Sequence, residues 1–285
     1  MRTIAHISDL HFGRLDAPVA EGLIADLAGR KPDLLVVSGD LTQRARRRQY
    51  ADAMAFLKRL PSPQLVVPGN HDIPMFNMAA RFFTPVRKYR QMVTRDLRPV
   101  YEDEQMLVIG LNSARSFTRI SGWLNREQMA FAEARFAAAK GKFKVLVTHH
   151  PFFPPPRRPD ANVIRGGEKY LAALSAVEVD LVLSGHLHLA YHDDLRSHFK
   201  ASRRGVLSIQ AGTATSTRRR GEPNAYNWIT VSPQLCTVAV RAWAGKAFEE
   251  SLVTRYESDE SGWHKIQQVP IDQVGAEVMS DVNKQ

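Results

Sequence analysis

Apolar residues in this chain fall into short runs, and each run ends abruptly in a polar cluster. Five of them, over residues 3–8, 33–38, 64–67, 142–147 and 180–184, have the length and composition of buried strands. Between them the period changes. Val19, Leu23, Ile24 and Leu27 repeat at helical spacing over 18–30, as do Tyr50, Met54 and Leu57 over 46–60. Residues 75–97 read as mostly helical, 101–112 as a hairpin turning at Glu104-Gln105, and 167–177 as a helix. Asn125 is placed to cap a helix over 126–140 that Gly141 ends. From about residue 190 the pattern becomes strand-rich, with runs at 206–211, 226–232, 235–242 and 248–256 predicting an antiparallel second layer. Pro-rich residues 151–159 predict a rigid extended loop, and 259–285 a polar tail anchored by Trp263, Ile266, Val269, Ile271 and Val274.

The clusters that end the first five runs carry the chemistry. They are Asp9-Leu10-His11, Gly39-Asp40, Gly69-Asn70-His71-Asp72, Thr148-His149-His150-Pro151 and Gly185-His186-Leu187-His188. Six of the ten histidines lie in them. Asp, Asn and His are the oxygen and imidazole donors that Mn²⁺, Fe²⁺, Co²⁺ or Zn²⁺ accept. Any one cluster alone reads as a cap, a turn or a surface pair. Their convergence at strand C-termini, where α/β sheets place their sites, points to a metal centre on one rim of a sheet. Asp40 has two oxygens and can bridge two ions; His186 and His188, on extended backbone, would point to the same side. His6 lies within the first strand and reads as a core histidine, His192 and His198 as loop residues.

Composition narrows the class. With 285 residues, 44% hydrophobic and 24% charged, this is an ordinary globular chain able to bury a core. The single cysteine, Cys236, excludes an internal disulfide and reads as a small buried hydrophobe. The first strand begins at Thr3, which predicts no signal peptide, and no run approaches the ~20 apolar residues of a membrane helix. A cytoplasmic protein is expected. The net charge of +10 gathers at Arg44–Arg48, Arg157-Arg158, Arg203-Arg204 and Arg218-Arg219-Arg220. It favours an anionic substrate, while nothing resembles a dedicated nucleic-acid-binding domain.

Asp-x-His, Gly-Asp, Gly-Asn-His-Asp, His-His-Pro and Gly-His-x-His in this order resemble the calcineurin-like metallophosphoesterase superfamily, nearest its class III cyclic nucleotide phosphodiesterases and glycerophosphodiesterases. The resemblance covers about residues 1–240 and implies an α/β fold: a four-layer αββα sandwich of two mixed β-sheets flanked by helices. It implies a metallophosphoesterase domain over 1–245, with a strand and polar tail over 246–285 packed on that domain or used as an oligomer contact, a homodimer for example. It implies two divalent ions, one held by Asp9, His11, Asp40 and His188, the other by Asp40, Asn70, His149 and His186. His71 would assist the leaving group and Asp72 would orient His71, while a hydroxide shared by the ions attacks phosphorus. His150 is expected at the pocket edge and Arg218 near the substrate's non-reacting part. The expected substrate is a small phosphodiester such as a 3′,5′-cyclic nucleotide; a phosphomonoesterase, a nuclease or a lipid-linked pyrophosphate hydrolase are the alternatives.

Overall fold

Two mixed sheets pack face to face in the computed structural model, which describes residues 1–118, 120–195, 205–260 and 262–270. The first sheet begins with parallel strands β1 (Arg2–Ile7), β2 (Leu34–Val37) and β3 (Gln64–Val66), joined through helices α1 (Ala17–Arg30) and α2 (Arg47–Leu57). The second holds β4 (Val100–Glu102), β5 (Met106–Gly110), β6 (Phe143–Val147), β7 (Leu181–Ser184), β8 (Tyr191–Asp194) and β9 (Leu207–Gln210), in the order 4-5-6-7-9-8. Short helices α3 (Met78–Phe83) and α4 (Arg87–Met92) precede β4, and α5 (Arg126–Ala138) and α6 (Gly167–Ala176) flank β6. Four antiparallel strands, β10 (Ala225–Val231), β11 (Leu235–Trp243), β12 (Phe248–Asp259) and β13 (Gly262–Pro270), then extend the first sheet from β1 outward.

Alternation along the strands explains the layers. Ile4, Leu34 and Val36 face Val108, Val145, Leu181 and Ile209 between the sheets. Ala5, Ile7, Leu35 and Val37 pack outward on Val19, Leu23, Leu27 and Phe56 of α1 and α2. On the far side Leu107, Ile109, Leu146 and Val182 meet Met129, Phe136, Leu171 and Leu174 of α5 and α6. Strands buried on both faces show no polar alternation, which is why they read as continuous apolar runs. The result is the expected four-layer sandwich.

Several expectations change. The strand at 206–211 forms β9, but it pairs parallel with β7 in the second sheet, while β10–β12 enlarge the first sheet instead of making a second layer. Helix over 75–97 survives only as α3 and α4; Pro85, without an amide proton and fixed in φ, interrupts it. Asn125 caps α5 as expected, its Oδ1 accepting from Gln128 N at 2.8 Å, but the helix ends at Ala138. Beyond Tyr256 the chain continues β12 and turns into β13, so part of the expected tail is strand. Ile271, Val274, His198 and Arg203-Arg204 lie outside the described residues. Cys236 is buried between the sheets. His6 is a core histidine, with Nε2 2.9 Å from Ser38 Oγ. Among the described residues no helix is long and apolar enough to cross a membrane.

His192 is not a loop residue. It sits in β8, buried, with Nδ1 2.6 Å from the Tyr256 hydroxyl on β12, so it ties one sheet to the other. Burial, then the charge of Lys265, pushes its pKa down to about 4 against a weaker pull from Asp193. An unfolded histidine protonates near pH ~6.5, so stability is lost as pH falls from there toward 4. Urea unfolding of the wild type should therefore lose about 3 kcal/mol more between pH 7 and pH 4 than His192→Gln does. Equal losses would mean that the folded ring is charged. Trp263 of β13 packs on Phe143 of β6, ring centroids 5.9 Å apart, and is buried. Trp263→Ala should cost about 3–5 kcal/mol in the same assay; a cost below 1 kcal/mol would show that β13 adds nothing to the core.

Candidate metal centre

All five polar clusters meet, but not on the rim of one sheet as the sequence suggested. Asp9, Asp40 and Asn70 follow β1, β2 and β3 of the first sheet, whereas His149 and His186 follow β6 and β7 of the second. The site lies at one end of the sandwich, across the seam. The strands must turn sharply there, and Asp9, His11, Asp40, His186 and His188 all take left-handed φ, between 47° and 74°. Such backbone is costly for residues with a side chain and concentrates at functional sites. It also corrects the expected extended backbone at His186 and His188. Two glycines permit the close approach: a Cβ at Gly69 would overlap the Asp40 carboxylate, and one at Gly185 would overlap the Ser8 hydroxyl.

Two donor sets result. In the first, His188 Nε2 is 3.1 Å from His11 Nε2 and 3.2 Å from Asp9 Oδ1, and His11 Nε2 is 3.7 Å from Asp40 Oδ2. In the second, His149 Nε2 is 3.1 Å from Asn70 Oδ1 and 3.5 Å from Asp40 Oδ1. His186 joins this side, its ring centroid 5.2 Å from that of His149. Asp40 thus turns one oxygen to each set. Asp9 divides its oxygens too: Oδ2 accepts the His186 backbone N–H at 2.9 Å, while Oδ1 is buried without a hydrogen bond. An orphaned carboxylate oxygen among imidazole nitrogens, all buried, is donor chemistry suited to a cation. The residues present fit divalent metal ions.

The far ring nitrogens are fixed in turn. His149 Nδ1 donates to Ser38 O at 2.8 Å; His188 Nδ1 lies 2.8 Å from Arg218 O and 2.6 Å from Thr213 Oγ1. Each contact directs Nε2 inward, the arrangement typical of ligating imidazoles. Burial opposes ionisation of Asp9 and Asp40, yet the imidazoles facing them hold both carboxyls low, Asp9 well below the usual range. Burial would depress His149, but Asp40 raises it to about 9. For His186 burial and then the charge of His149 outweigh the pull of Asp40 and Asp9 and push it down to about 3.

Two expected contacts are corrected. Asp72 does not orient the His71 ring. Its carboxylate accepts backbone N–H groups from Gly69 at 2.9 Å, Thr42 at 2.9 Å and Leu41 at 3.1 Å, stapling the turn after β2 to the turn after β3. Burial and the nearby Asp40 charge lift its pKa to about 7 against those three bonds. The His71 ring is held instead by the Gln43 carbonyl, 2.9 Å from Nδ1. A backbone carbonyl carries no side-chain signature, so no sequence signal could have named Gln43. His150 is not at the pocket edge. It is wholly buried, Nδ1 2.8 Å from Ser113 Oγ, its ring tilted on His186 with centroids 4.5 Å apart. Arg218 does reach the centre: Nη1 is 3.2 Å from His71 Nε2 and 3.4 Å from His11 Nε2.

Known proteins resemble this chain in sequence and in fold. The calcineurin-like phosphoesterase family model matches residues 2–190. A probable cyclic nucleotide phosphodiesterase of Synechococcus sp. is 27% identical over 202 residues, 66% of this chain and 74% of that protein. The glycerophosphodiester phosphodiesterase GpdQ of Enterobacter lignolyticus is 28% identical over 162 residues, 53% of this chain and 57% of that protein. In fold, the chain resembles PhoD, with a TM-score of 0.69 at 14% identity over 93% of this chain and 71% of that one. It also resembles a dimetal phosphatase from Danio rerio, with a TM-score of 0.64 at 14% identity over 85% and 96%. With the family model spanning well over half of its length, the chain belongs to the calcineurin-like phosphoesterases.

Proposed function

We propose that the protein is a dinuclear metal-dependent phosphodiesterase that hydrolyses small anionic diesters, with cyclic nucleotides and glycerophosphodiesters, the substrates in its relatives' names, as the first candidates. One observation carries the reading: the two oxygens of Asp40 are divided between two sets of imidazoles. Asp9, His11, Asp40 and His188 would hold one ion, and Asp40, Asn70, His149 and His186 the other. Mn²⁺ or Fe²⁺, with Zn²⁺ or Co²⁺ as alternatives, suits such oxygen and nitrogen donors. When bound, the pair supplies Lewis-acid charge for the phosphoryl oxygens and ionises a water near neutral pH.

The chain's own residues do the rest. Gln43 O fixes the proton on His71 Nδ1, so Nε2 faces the centre and can carry a proton to the departing alkoxide. The backbone N–H of His71 donates to Asp40 Oδ1 at 2.8 Å, which ties the ring's position to the shared carboxylate. Arg218 would hold a non-bridging phosphoryl oxygen with a charge-assisted bond. His150 would support His186 from below, not touch substrate.

Asp40→Ala should lose at least one metal per chain and nearly all hydrolysis, and Asp40→Asn should be nearly as poor, because a neutral amide bridges two cations badly. Elemental analysis alongside turnover checks this; two metals and near-normal rate in either variant would refute the shared-carboxylate arrangement. His71→Ala should keep both metals and slow alkoxide release by ~10²–10⁴-fold, with a smaller loss for nitrophenolate, which needs no proton. Metal content falling together with activity would make His71 a ligand.

A further inference from the structure

Beside the centre lies a cavity of about 510 Å³ whose wall includes His186, Leu187, Arg158, Arg220, Asn162 and Asp160. Its charge is one-sided. Arg158 Nη1 donates to Leu187 O at 3.3 Å, which sets its guanidinium on the residue next to His186, a donor of the second set. Arg218 stands on the other side, over His11 and His71. Arg220 shares the cavity wall with Arg158; burial and then the charges of Arg158 and Arg218 lower its pKa against a pull from Asp9 and Asp40. Neighbouring arginines are neutralised, Arg157 by Glu222 at 3.2 Å and Arg219 by Asp16 at 2.5 Å. Among the described residues Arg158, Arg218 and Arg220 have no ion pair, and Asp160 is the only carboxylate on the cavity wall.

A simple diester cannot balance this. Two divalent ions set against Asp9, Asp40, a hydroxide and a monoanionic diester sum to neutrality. Three guanidiniums then remain, Arg158 and Arg220 on one cavity wall and Arg218 beside His11 and His71, with one exposed aspartate nearby. Arginine forks without a counter-ion are what planar or tetrahedral oxyanions fill.

Resting on the dinuclear reading above, we propose that the physiological substrate carries a second phosphate beyond the scissile diester, and that Arg158 and Arg220 bind it while Arg218 stays on the scissile group. The second phosphate is either the neighbour in a phosphoanhydride or a separate monoester on the retained group. A 3′,5′-cyclic nucleotide has neither, and on this reading it is a poor relative of the true substrate.

The test compares three thymidine esters on Mn²⁺-loaded protein, with products followed by chromatography. One is thymidine 5′-(p-nitrophenyl phosphate). The second adds a 3′-phosphate, and the third inserts a phosphate as an anhydride beside the first. At least one doubly phosphorylated ester should be cleaved with kcat/KM about tenfold or more above the reference, chiefly through KM, the gain expected from charge-assisted bonds to a second anion. In Arg158→Gln/Arg220→Gln, checked by circular dichroism for folding, the preference should fall to near unity. Calorimetry gives a readout independent of turnover: thymidine 3′,5′-bisphosphate or thymidine 5′-diphosphate should bind about tenfold tighter than thymidine 5′-monophosphate, and the variant should lose the difference. Cleavage of all three esters at equal kcat/KM would overturn this inference and leave the phosphodiesterase reading standing. Preference persisting in the double variant would overturn the role of the two arginines. No cleavage of any ester would overturn the phosphodiesterase reading, and this one with it.

Discussion

Buried charge is the constraint on which the structure turns. Asp9 and Asp40 are 0% and 1% exposed, and a carboxylate taken out of water costs several kcal/mol unless a cation or good hydrogen bonds compensate it. The chain surrounds both with imidazoles that are themselves buried. Asp40 raises His149 to about 9, which shows how strongly the shared carboxylate favours positive charge on that side of the centre. An ion at the proposed second site would compete with a proton there. The same burial that makes the carboxylates costly makes any cation bound between them strongly held.

Holding donors from two sheets at such separations demands a rigid frame. The left-handed turns at Asp9, His11, Asp40, His186 and His188 would relax if the loops were free. They are not free. Asp72 joins the turns after β2 and β3 through three backbone bonds, and Asp9 joins the turn after β1 to that after β7 through the His186 N–H. Asp72 therefore belongs to the scaffold, one step behind the residue it was expected to orient.

The sequence exposed the donors well and their surroundings poorly. Strands buried on both faces leave continuous apolar runs, so their ends could be located and the clusters of Asp, Asn and His counted. Which sheet each strand joins is decided by pairing across more than a hundred residues, as in β1 with β10, and local pattern carries no trace of it. Hence β9 was grouped with the wrong neighbours and the centre assigned to one sheet. Side chains held by main-chain atoms were equally hidden: Gln43 O at His71, Ser38 O at His149 and Arg218 O at His188 depend on where the backbone passes. Adjacent histidines were separable only in space: His149 and His150 are both buried against His186, but His149 Nε2 lies 3.1 Å from Asn70 Oδ1 while His150 Nδ1 lies 2.8 Å from Ser113 Oγ.

Net charge misleads in the same way until it is placed. Much of the excess of arginine sits in exposed pairs such as Arg59 with Glu21 and Arg135 with Glu102, where solvent screening leaves little energy and little field. A charge acts at range only where the surroundings are too dry to screen it and no counter-ion is built in. Around this centre Arg218 is half-buried and without an ion pair among the described residues, with its guanidinium on two histidine rings and its carbonyl 2.8 Å from a third. On the proposed reading, the residue that would hold a substrate phosphate through its side chain is also the one whose carbonyl orients His188, so the proposed substrate and metal sites share Arg218.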